Sequence, residues 1–127
     1  MKLRTTKNSI RIRIRKSELT RLRNDSKVQE QINFGSEVVF SFALILDKEV
    51  EVLTGSLETN SLVVRIPYDL GLKWIDSNEV GIESMSKVSP TEELTILVEK
   101  DFPCLDRPNE DKSDTFWELV PEIEKAC

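Results

Sequence analysis

Arginines at positions 11, 13 and 15 alternate with isoleucines at 10, 12 and 14, a spacing that sets three guanidinium groups on one side of an extended strand. With Arg4 upstream, such a row suits ionic contact with phosphates, so these four arginines are the candidate nucleic-acid contacts. The rest of the chain is poor in reactive groups. It has no histidine, which removes the most frequent general base and the commonest metal ligand together. Cys104 is the candidate nucleophile, but Glu99, Asp101 and Asp106 are anionic neighbours in sequence that would raise a thiol pKa rather than lower it. Asp106, Glu110, Asp111 and Asp114 offer oxygen ligands without the order of a calcium loop, and are expected to be solvated acids. Glycines at 35, 55, 71 and 81 form no phosphate-cradling cluster. The expectation is a non-enzymatic binding protein with no catalytic residues, no metal and no cofactor.

The charge is unevenly spread. Residues 1–23 carry nine bases against the single acid Glu18, while the net charge of the whole chain is −5, so the remainder is strongly acidic. Two readings stay open: a basic strand that meets an anionic partner, or two oppositely charged parts that neutralise each other across the fold. Two cysteines, Cys104 and Cys127, both near the C-terminal end, suggest a reducing, cytoplasmic compartment. The longest apolar run, Val38 to Leu46, is interrupted by Ser41 and is too short for a membrane span. No apolar leader follows the basic start, so no signal peptide is expected.

The elements that must position the arginines repeat. Asn8-Ser9 followed by an alternating strand recurs as Asn60-Ser61 at a spacing of 52 residues, which also relates Arg13 to Arg65 and Val28 to Val80. Such self-similarity points to one supersecondary unit used twice within one domain. In the first copy Ile10, Ile12 and Ile14 face inward and the arginines form a solvated, cationic face. Ser17 is expected to cap a short helix carrying Leu19 and Leu22, and Val28 to Phe34 with Val38 to Leu46 reads as a hairpin around Gly35-Ser36. In the second copy Leu62, Val64 and Ile66 are inward, Pro67 opens a helix with Leu70, Trp74 and Ile75, and strands follow over Val80 to Met85 and Leu94 to Val98. The expected fold is mainly β with two short helices, a pseudo-two-fold barrel of two ββαββ repeats over 1–46 and 50–98. Residues 99–127 form an acidic C-terminal extension whose Phe116, Trp117 and Leu119 are the candidate protein-binding residues.

The stretch Asn60-Ser61-Leu62-Val63-Val64-Arg65-Ile66-Pro67, a short helix, and then Asp76-Ser77-Asn78-Glu79-Val80-Gly81-Ile82-Glu83 resembles the swapped-hairpin module of the AbrB and MazE type. That family shows Gly-Asn-Ser, an apolar-Val-Arg-Ile-Pro strand, a two-turn helix and an Asp-Glu-Val-apolar-Glu strand. Lys7 and Thr59 stand where the family has glycine, and two copies occupy one chain where members carry one copy and dimerise. The resemblance implies an intramolecular pseudo-dimer of swapped hairpins. It also places the family's DNA-contact positions on Arg4 and Arg13 in the first copy and on Ser56 and Arg65 in the second. Antitoxins of this fold wrap a toxin with an acidic, aromatic tail, which residues 99–127 resemble in composition. Met1-Lys2-Leu3-Arg4 and Glu99-Lys100-Asp101-Phe102-Pro103-Cys104-Leu105 also resemble a family of small uncharacterised bacterial proteins. The function expected is a DNA-binding or antitoxin-like regulator. The alternative is a protein-interaction or assembly module working through the tail, without nucleic acid.

Overall fold

The computed structural model describes residues 1–102 and 114–119. In chain order the elements are β1 (Lys2–Thr6), β2 (Ser9–Ile14), α1 (Lys16–Asp25), β3 (Lys27–Asn33), β4 (Val39–Asp47), β5 (Thr54–Glu58), β6 (Ser61–Pro67), α2 (Tyr68–Ile75), β7 (Gly81–Ser89) and β8 (Glu92–Lys100), followed by a 3-10 turn over Trp117–Leu119. The chain is therefore mainly β with two helices, and each half runs ββαββ.

The Asn-Ser signature marks the hairpin turns. Asn8 has φ 50° and Asn60 has φ 59°, the left-handed region that asparagine tolerates better than most side chains. Thr59 joins it at φ 38°, so both central residues of the β5–β6 turn are left-handed, as a two-residue turn matching strand twist requires.

The eight strands form two four-stranded sheets, ordered β1-β2-β8-β7 and β3-β4-β6-β5. Each sheet joins the first hairpin of one repeat to the second hairpin of the other. The join is parallel in both cases, β2 on β8 and β4 on β6, and the hairpins themselves are antiparallel. The expected barrel thus takes the form of two packed sheets. One apolar cluster draws on both, with Ile12, Ile14, Leu44, Val64, Ile66, Ile96 and Val98 almost wholly buried and Leu22 and Trp74 covering it from the helices.

Two expectations are corrected. The constant spacing of 52 residues does not survive the helices: Val28 pairs with Leu44 and Ile82 pairs with Val98, so the second hairpins align 54 residues apart and Ile82, not Val80, is the counterpart of Val28. The physical reason is local. Helix α1 passes into β3 through Ser26 alone, a left-handed cap, whereas the shorter α2 reaches β7 through Asp76 to Val80. Nor does Ser17 cap α1, because the helix begins at Lys16 with Arg15 at the cap position. There the Arg15 N–H donates to the Glu18 carboxylate at 2.9 Å. Glu18 also accepts from the Met1 ammonium at 2.5 Å. Burial pushes its carboxyl upward, but the Met1 and Arg15 donors outweigh that and hold it below the usual glutamate value. Among the described residues, no helix is long and apolar enough to cross a membrane.

Candidate functional site

The parallel join of β2 to β8 places Arg13 directly beside Glu99. Glu99 Oε1 lies 2.5 Å from Arg11 Nε and 3.5 Å from Arg13 Nε. Arg13 Nη1 is 4.0 Å from Asp101 Oδ1, and its guanidinium lies 4.9 Å over the Phe102 ring. Arg15 Nε pairs with Asp114 at 3.3 Å. The solvated, cationic face expected of β2 is therefore an ion-paired one, because Glu99 on β8, Asp101 just past it and Asp114 of the C-terminal segment meet the arginines. The reading in which opposite charges meet across the fold describes this face.

Arg65 is held in the same manner on the other sheet. Its guanidinium lies 2.9 Å from Glu58 and 3.4 Å from Asp47, and the hydrogen bond from Arg65, followed by one from Ser56, keeps the Glu58 carboxyl below its ordinary range. Asp47 and Asp101 are counterparts, each one residue past a strand position paired with Ile66 or Ile14. Arg4 differs from the other candidates: it is exposed on the outer strand β1, and its side chain makes no hydrogen bond or ion pair among the described residues.

The segment 114–119 lies against this end of the molecule. Asp114 accepts from the Ser17 N–H at 2.8 Å and from the Ser17 hydroxyl at 2.5 Å, so a carboxylate from the C-terminal segment caps α1. Its carbonyl takes the Lys16 N–H, and Glu118 pairs with Lys16 Nζ at 3.3 Å. Asp114 is thus not the solvated acid expected. Thr115 is buried, and the Phe116 N–H donates to the Asp101 carbonyl at 2.6 Å. The Phe116 ring packs on the core between Lys16 and Lys100, with their Nζ atoms 5.4 and 5.5 Å from its centroid. Trp117 projects outward and is 64% exposed, while Leu119 is half-buried. Of the three candidate protein-binding residues, the segment spends Phe116 on its own core and presents Trp117.

Lys100 was missed by the sequence reading, and a signal for it existed. The inward alternation Ile96, Val98 continues to position 100, where the sequence carries lysine and the side chain is 1% exposed. The counterpart in the other repeat is Leu46, since Ile14 pairs with Lys100 as Ile66 pairs with Leu46. Lys100 Nζ donates to the Ser77 carbonyl at 2.6 Å and lies 5.8 Å from the Trp74 ring centroid. Its burial lowers the amine pKa, opposed by the nearby acids Glu79, Glu118 and Asp76.

The other repeat offers an open cleft at the matching place. A cavity of about 380 Å³ at the start of α2 is lined by Lys48, Val50, Pro67, Tyr68 and Asp69. Pro67 and Asp69 occupy the positions of Arg15 and Ser17, so this cleft lacks the guanidinium and the hydroxyl that hold Asp114. Away from both places, Ile32, Phe34 and Val38 are exposed around the β3–β4 turn, and Met85 and Val88 on β7. Cys104, Asp106, Glu110 and Asp111 lie outside the described residues.

Comparison with curated proteins and with solved structures gives no match. A family model does match, over residues 1–118, and its span takes in both repeats, both helices and the docked segment through Glu118. The chain therefore belongs to the Family of unknown function (DUF7009).

Proposed function

We propose that this protein is a non-enzymatic protein-interaction module whose working surface is the segment 114–119 and the basic shelf of Arg15, Lys16 and Ser17 beneath it. The observation that carries the reading is how that segment is held. Its anchors are an acid on a helix start and one aromatic ring between two lysines, while Trp117 is left outward. Exposed ion pairs such as Lys16 to Glu118 contribute only about 0–1 kcal/mol each, so the segment is fastened mainly by Asp114 and Phe116. An outward tryptophan on such a mount has the amphipathic surface that interfaces favour. Arg11 and Arg13 of β2, by contrast, already have an anionic partner in Glu99.

The test uses the full chain as bait beside Trp117→Ala. The expected result is loss of the partner with the melting temperature unchanged, since surface substitutions usually stay within about 0.5 kcal/mol. Retention of every partner by the variant would refute the reading.

A DNA-binding or antitoxin-like regulator is the second reading. It is favoured by the pairing of first and second hairpins from opposite repeats and by Arg4, exposed on β1. Fluorescence anisotropy with random duplex DNA across a salt series separates the two. Flat anisotropy at low salt is expected, whereas a steep salt slope abolished by Arg4→Glu would move the assignment to nucleic acid.

A further inference from the structure

We propose that the shelf formed by Arg15, Lys16 and Ser17 receives the Asp114-Thr115-Phe116 segment of a second copy of this chain, so that two copies exchange their segments. The inference rests on the interaction-module reading and names the partner of its shelf, Trp117 staying outward in the exchanged pair as in the single chain.

Four observations lead there. The shelf has a known ligand chemistry, because the chain itself displays it: a carboxylate on Ser17 N–H, Ser17 Oγ and Arg15, then an aromatic ring seated two residues later. A second copy carries the same chemistry in the same order and reproduces every contact. The seat is selective, since the matching cleft on α2 has Pro67 in place of the Arg15 guanidinium and Asp69, an acid that repels a carboxylate, in place of the Ser17 hydroxyl. Residues 103–113 separate Phe102 from Asp114, and eleven residues span up to about 36 Å when extended, enough to reach a neighbour. Finally, the polar part of the seat lies at the surface, with the side chains of Arg15, Lys16 and Glu118 each about 40% exposed, so exchange with water is open to it.

Exchange of an identical segment creates no new contact and competes with closure within one chain, so it grows with protein concentration. The competition can be removed by separating the two roles onto two full-length variants. Asp114→Ala with Phe116→Ala keeps the shelf and loses the segment, while Arg15→Glu with Lys16→Glu keeps the segment and loses the shelf. In sedimentation velocity each variant alone is expected to be a monomer, and an equimolar mixture is expected to form a 1:1 heterodimer at least tenfold tighter than self-association of the unaltered protein. A mixture that stays monomeric, with both variants shown folded by circular dichroism, overturns the proposal. Should Phe116→Ala unfold the chain, Asp114→Asn with Glu118→Gln replaces it, and failure of that pair to associate has the same force. Binding of random duplex DNA by the segment-deficient variant, in place of the second variant, also overturns it. If the mixture stays monomeric while Trp117→Ala still abolishes partner capture, only the second copy falls and the interaction-module reading stands.

Discussion

Lys100 carries an ammonium into a position that its counterpart Leu46 fills with methyl groups. Burial disfavours its charged form, and one hydrogen bond to the Ser77 carbonyl with two aromatic faces makes up only part of the lost hydration. Because burial lowers the pKa in the folded chain, the unfolded chain binds more protons between that lowered value and the ordinary 10.5. Stability attributable to Lys100 therefore rises with pH through that window and is least below it. Lys100→Met should be as stable as the unaltered protein or more so by about 2 kcal/mol at neutral pH, as for other buried charges replaced by apolar groups. The difference should shrink as the pH approaches the ordinary lysine value. Urea denaturation at several pH values checks this, and a difference that widens with pH would show that the charge is not penalised. Period-two alternation could have flagged the residue, but the expected strand stopped at Val98, short of position 100.

At the scale of elements, α2 depends on one close approach. A Cβ on Gly71 would lie 2.4 Å from Leu46 Cδ2 and 3.1 Å from Ile66 Cγ2, so this helix rests on β4 and β6 nearly backbone to side chain. Gly71→Ala gains about 1 kcal/mol of helix propensity yet overpacks a buried contact, at a typical cost of about 1–3 kcal/mol. Net destabilisation is expected in a thermal melt, and a raised melting temperature would mean that Leu46 has room to turn aside. Strand and helix types were legible because Ile12, Ile14, Val64 and Ile66 keep strict alternation and Pro67 and the Asn turns punctuate it. The spacing change from 52 to 54 residues was not, since Val28 and Val80 are both valines and only pairing distinguishes Val80 from Ile82. The candidate site was half legible. Composition exposed the basic strand and the acidic tail, but that Glu99 would meet Arg11, 88 residues away, depends on which strands pair, and that Asp114 would meet Arg15 depends on where the C-terminal segment docks, neither of which local pattern encodes.

For the whole molecule, neither repeat can finish a sheet by itself. The first repeat alone would hold the hairpins β1–β2 and β3–β4, each missing the parallel neighbour that the second repeat supplies, and lone hairpins are marginal in water. Separate chains of residues 1–49 and 50–127 are therefore expected to show no cooperative unfolding as monomers. Mixed together, they should regain β-type circular dichroism and one sharp transition; cooperative melting of a monomeric 1–49 would show the repeats to be independent. This interleaving has an evolutionary consequence. A pair of identical subunits must change both of its faces whenever it changes one, since every substitution is copied by symmetry. A chain that contains both halves is released from that rule. Here one half carries leucine and an open cleft at its helix start, while the other carries a lysine, a carboxylate cap and an aromatic clasp. The doubled architecture thus allows one face to differ from its twin while both hold the fold together.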